Sequence, residues 1–107
     1  MEFPDDENGH VLRTMYQRGG DLSKPREVDF YFVFPTTEIA QAFAGEVGVK
    51  IGLTGSVAPY EERNLWEVTI TNKMIPTHSA ITALETSLTQ LAKSYGGESD
   101  GWGSFKQ

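Results

Sequence analysis

The stretch Arg26–Pro35, reading Arg-Glu-Val-Asp-Phe-Tyr-Phe-Val-Phe-Pro, limits the folds open to this chain more than any other. It is the most hydrophobic run in the sequence and the richest in aromatic and β-branched residues, which suits a pleated surface buried on at least one side. Alternation places Val28, Phe30, Phe32 and Phe34 on one face, with Asp29, Tyr31 and Val33 on the other. Pro25 and Pro35 bound the run, and neither can extend a central ladder. The run therefore reads as the central strand of a small sheet, with its phenylalanine row as the floor of the core.

The chain has 107 residues, enough for one domain spanning 1–107 and one core. Hydrophobic residues make up 38% of it, including six Phe, four Tyr and two Trp, so that core can be well filled. The absence of cysteine rules out a disulfide framework, a thiolate metal site and a cysteine nucleophile together. No apolar run has the length of a membrane span, and Met1-Glu-Phe-Pro-Asp-Asp-Glu7 lacks the basic and apolar regions of a signal peptide. The expected location is cytoplasmic. A net charge of −6 repels nucleic-acid backbones and acidic membranes and favours a neutral or basic partner, besides aiding solubility.

From the N-terminus, Asp5-Asp6-Glu7 suits the positive end of a helix, with Asp5 as the expected cap, Val11, Leu12 and Met15 at helical spacing, and Gly19-Gly20 as the stop. After the central strand, Thr36 caps a short helix whose buried stripe is Ile39, Phe43 and Val47 and whose expected end is Gly48. Val49–Leu53 alternates as a second strand, and Thr54–Arg63 reads as its end plus a turn. Leu65–Asn72 alternates again, with Trp66, Val68 and Ile70 on one face. Pro76-Thr77-His78 opens the clearest helix, where Ile81, Leu84, Leu88, Leu91 and Tyr95 step by three and four until Gly96-Gly97. Glu98–Phe105 would supply a last strand, irregular or bulged because of its glycines. The order after the first helix is the split βαββαβ plan. The predicted class is α+β: a ferredoxin-like sandwich with a four-stranded antiparallel sheet over 26–105 and an added N-terminal helix over 1–20, a candidate cover for a sheet edge.

Sites for chemistry are sparse. His10 and His78 are the only histidines and belong to no ligand-spaced motif. Asp5, Asp6 and Glu7 diverge around a helix start, which suits capping better than a metal. Ser79, Ser87, Ser94 and Ser104 lie in no nucleophile elbow, and Gly96-Gly97 follows a helix, the wrong side for a phosphate cradle. No catalytic residue, metal or cofactor is therefore assigned. RNA-recognition domains share this topology and stack bases on an open sheet face. Here that face offers Tyr31 beside Asp29 and Glu67, and the third strand, Leu-Trp-Glu-Val-Thr-Ile, lacks the basic–aromatic run. Two carboxylates beside a stacking platform repel a nucleic-acid backbone, so direct RNA binding is not expected. Candidate partner contacts are Asp29, Tyr31, Glu67, Asp100 and Trp102, where Trp102 can either anchor a partner or close the core.

Several stretches together carry a family likeness: Phe3-Pro4-Asp5-Asp6-Glu7-Asn8-Gly9, Leu22–Phe30, Met74-Ile75-Pro76-Thr77-His78, Tyr95-Gly96-Gly97 and Asp100-Gly101-Trp102-Gly103. The chain resembles the family of the regulator of ribonuclease E activity B, also called the ribonuclease E inhibitor family. The resemblance implies a ferredoxin-like fold and a non-enzymatic cytoplasmic protein. It further implies binding to the scaffold region of ribonuclease E, which lowers RNA cleavage. The family offers no catalytic residues to carry over. The competing readings are an interaction domain with an unrelated partner, as monomer or homodimer, and a small enzyme using a cleft near His78.

Overall fold

A computed structural model describes residues 5–18 and 24–103. Its elements are α1 (Glu7–Gln17), β1 (Arg26–Phe34), α2 (Thr37–Lys50), β2 (Thr54–Tyr60), β3 (Leu65–Met74), α3 (His78–Ser94) and β4 (Glu98–Gly103). The strands form one sheet in the order β2-β3-β1-β4, with every neighbouring pair antiparallel. From β1 onward this is the ferredoxin-like arrangement, and β1 is an inner strand of it.

The phenylalanine row forms the floor of the core. Val28, Phe30, Phe32 and Phe34 are completely buried. Val68 and Ile70 of β3 lie beside them, and Phe43 and Val47 of α2 and Ile81, Leu88 and Ala92 of α3 close the layer above. Phe43 is the hub: its ring centroid is 5.3 Å from that of Phe32 and 4.9 Å from that of Phe34, in tilted pairs. Such pairs contribute about 0.5–1.5 kcal/mol beyond the area they bury. Ile39, Leu84, Leu91 and Tyr95, expected in the buried stripes, pack against this core while staying partly exposed.

Three local expectations are corrected. The α1 cap is Asp6 rather than Asp5: its Oδ1 accepts from the Gly9 amide at 2.8 Å, while Asp5 pairs with His10. The second correction concerns Gly48, which does not end α2. The helix runs on to Lys50, and the Ile51 and Gly52 amides both donate to the Val47 carbonyl. Gly52, at φ +79°, supplies the left-handed residue that stops it. The third follows from the second: Val49 and Lys50 are helical, Val49 is 85% exposed, and the strand begins only at Thr54. Gly55 and Pro59 gave that stretch the look of a turn, yet it pairs with β3 from Thr54 to Tyr60 without a break.

The remaining boundaries follow local chemistry. The Thr36 and Thr77 hydroxyls accept from the Ile39 and Ala80 amides and cap α2 and α3. Gly96, at φ +75°, ends the last helix. In β4 two residues, Asp100 and Gly101, stand opposite Tyr31 alone, so the expected bulge is present. Gly19-Gly20 and Phe105 lie outside the described residues. The added helix α1 packs against α3. Among the described residues no helix is long and apolar enough to cross a membrane.

Candidate partner-binding surface

Because α2 and α3 cover one face of the sheet, the other presents the second set of alternating side chains. From β1 these are Asp29, Tyr31 and Val33; from β3, Glu67, Thr69 and Thr71, opposite them in register. Val33 departs from the simple alternation: it is only 4% exposed, between Glu67 and Glu98 on the adjacent strands.

Four of the five expected contacts gather on this face. Asp29 is held by Thr71, whose hydroxyl donates to Asp29 Oδ1 at 2.6 Å across the strand pair. Tyr31, half-buried, has its phenol pushed above the usual tyrosine range by burial first and then by the charges of Asp29 and Glu67. Glu67 is also half-buried, and burial followed by the charge of Asp100 raises its carboxyl above the ordinary value of 4.5. The β4 bulge brings Asp100 within range of Glu67 and places its Oδ1 3.5 Å from Arg63 Nη1. Glu67 thus has two sources of destabilisation as an anion, which an incoming cation would relieve.

The negative surface continues beyond these four. After β2 the chain makes a single 3-10 turn, Glu61–Arg63, ended by Asn64 in the left-handed conformation. Its two carboxylates join Pro59, Tyr60 and Glu67 around a shallow recess. The Arg63 guanidinium stands 6.0 Å from the Tyr60 ring centroid, so a cation already rests near the aromatic wall. Sequence reasoning missed Tyr60, Glu61, Glu62 and Arg63 as part of this surface. Their acid density is visible in the sequence, but Gly55 and Pro59 give the whole of Thr54–Arg63 the look of a strand end plus turn.

Trp102 does not join the other four. Register pairs it with Phe30, on the helix-covered face, where it packs half-buried against the core. Its Nε1 donates to Asn8 Oδ1 at 2.8 Å, and Asn8 Nδ2 in turn donates to Thr82 Oγ1 and Glu85 Oε1, each at 3.1 Å. Asp6 approaches His78 Nε2 at 2.8 Å. Hydrogen bonds from the Gly9 amide and from His78, in that order, hold the Asp6 carboxyl below the usual range. These contacts tie α1 to α3 and β4. Asn8 was missed because nothing in an Asp-Asp-Glu-Asn-Gly run marks a residue that bridges three elements.

The His78–Asp6 pair is the nearest approach to acid–base geometry, but Asp6 is occupied as a helix cap and its side chain is 53% exposed. Among the described residues no three His, Cys, Asp or Glu side chains converge to hold a metal ion.

The model of one protein family, described as regulator of ribonuclease activity B, matches residues 5–104, nearly the whole chain. The chain belongs to that family. No curated protein matches it.

Proposed function

As a member of this ribonuclease-regulator family, the chain acts, we propose, by binding a basic, non-catalytic segment of the enzyme it restrains. The scaffold region of ribonuclease E is the target that the sequence resemblance implies. The observation that carries this reading is the convergence of Asp29, Tyr31, Glu67 and Asp100 on the sheet face that the helices leave uncovered. A cation brought there would offset the charge crowding on Glu67, and Tyr31 offers an aromatic surface with a polar tip. Opposite charge also steers a basic segment toward the face, while an RNA backbone would be repelled. No side chain needs to do covalent chemistry: occupying the scaffold is sufficient for regulation.

The test is titration of the protein with purified ribonuclease E scaffold segments at low and at high salt, repeated with the Asp29→Asn/Glu67→Gln variant. Binding is expected at low salt, weaker at high salt, and at least several-fold weaker in the variant. Absence of binding at low salt, or a variant that binds as tightly as the parent, would overturn the reading.

A further inference from the structure

The two edges of the sheet differ. The β4 edge carries a bulge, two glycines and the carboxylates of Glu98 and Asp100, devices that discourage pairing with another strand. The β2 edge has almost none of these. Its sequence, Thr-Gly-Ser-Val-Ala-Pro-Tyr, bears no charged side chain, and it pairs with β3 in unbroken register from Thr54↔Thr71 to Tyr60↔Leu65. Its outer side meets no strand among the described residues, and Thr54, Ser56, Ala58 and Pro59 are exposed. Pro59 removes a single donor. The edge is therefore regular, uncharged and open to pairing.

Its surroundings indicate what it would pair with. Ala58 lies opposite Glu67 in register, and the acidic recess formed by Pro59, Tyr60, Glu61, Glu62 and Glu67 opens at the end of the same strand. A strand added to β2 would direct alternate side chains to the open face, alongside Ser56, Ala58 and Tyr60 and toward these carboxylates. Basic side chains fit there. A second copy of this chain fits less well, since each copy carries a net charge of −6.

We propose that β2 accepts an extended basic segment of the protein partner as a fifth strand, with main-chain pairing along Thr54–Tyr60 and arginine or lysine side chains reaching Glu67 and the recess. The inference rests on the preceding reading that the partner segment is basic, and adds how it is held. The ladder supplies affinity without regard to sequence, and the carboxylates on one side select positively charged segments.

The test uses the whole protein and two synthetic ten-residue peptides of alternating arginine and valine. One is unmodified; the other has every backbone nitrogen methylated, which keeps its charge but removes its donors. Fluorescence anisotropy at low salt measures affinity, and amide exchange locates the site. The unmodified peptide is expected to bind at least tenfold more tightly and to slow exchange in residues 54–60 but not in 98–103. Equal affinity for both peptides would overturn edge pairing and leave attraction to the acidic face intact. Failure of both to bind would overturn the basic-partner reading as well. Slowed exchange confined to β4, or a peptide-free protein that is already a dimer with protected β2 amides, would also overturn the proposal.

Discussion

Trp102 Nε1 donates a hydrogen bond to Asn8 Oδ1 at 2.8 Å, joining the last strand to the first helix across almost the full length of the chain. Asn8 Nδ2 carries the link to Thr82 and Glu85 on α3, so one side chain coordinates three elements. This tether gives the amphipathic helix α1, which buries only Gly9 and Leu12, a fixed seat.

Asn8→Ala should remove all three bonds and cost about 1–2 kcal/mol in chemical denaturation, since each partly solvated bond contributes modestly. Amides of α1 should exchange faster than those of β1. Trp102→Phe should cost less, because the ring still packs against the core and only one bond is lost. The double variant should fall short of the sum, because both substitutions delete the same contact. Fully additive losses would show that the tether does not couple the two residues.

Gly97 lies against the face of the Phe34 ring, and a Cβ at that position would overlap Cε1, Cδ1 and Cζ of the ring. Gly97→Ala should therefore cost about 1–3 kcal/mol, the usual penalty for overpacking a filled core. Gly45, within α2, provides the control: a Cβ there meets nothing within 4 Å. Gly45→Ala should stabilise by about 0.5–1 kcal/mol through helix propensity. Urea midpoints for the two variants should move in opposite directions.

Much of this is legible in the sequence, and the reasons are local. The row Val28, Phe30, Phe32, Phe34 fits a strand buried on at least one side, and the stepping of Ile81, Leu84, Leu88 and Leu91 fits a helix. Boundaries were less legible where two rules competed. Val49-Lys-Ile-Gly-Leu53 alternates like a strand, but continuing α2 kept the Ile51 and Gly52 amides bonded to Val47, and Gly52 could take the left-handed turn. Of the candidate surface, Asp29, Tyr31 and Glu67 followed from alternation. Asp100 reaches them only through the bulge, a two-against-one geometry that glycine content suggests but cannot place in register. The face occupied by Trp102 depended on the same bulge.

Glu67 should make the protein less stable as the pH rises. Its folded-state carboxyl is raised by burial and by Asp100, so the folded state holds a proton that the unfolded state has released. Stability from this group is intact at and below the ordinary value of 4.5 and is lost as the pH climbs from there through the raised folded value. Glu67→Gln resembles the protonated form and should leave stability near pH 4 little changed while raising it at pH 7. Urea denaturation at the two pH values checks this. Under the function proposed above, the gain comes with weaker binding of a basic partner, the usual conflict between function and the stability of the free protein.

Asp6 should show the opposite dependence. Its carboxyl is depressed by the Gly9 amide first and by His78 second, so the unfolded state takes up a proton before the folded state does. The stabilisation is present above the ordinary value of 3.8 and disappears as the pH falls from there through the lower folded value. Asp6→Asn keeps an oxygen that can accept from the Gly9 amide but removes the carboxylate facing His78, so the helix cap and the His78 contact can be separated. The variant should show faster α1 exchange near neutral pH, because the carboxylate contact with His78 helps to seat α1, and should lose the acid dependence below 3.8, while far-ultraviolet dichroism reports little loss of helix. An unchanged exchange rate at neutral pH would assign the role of Asp6 to the cap alone, leaving Asn8 and the buried Leu12 to hold α1 in place.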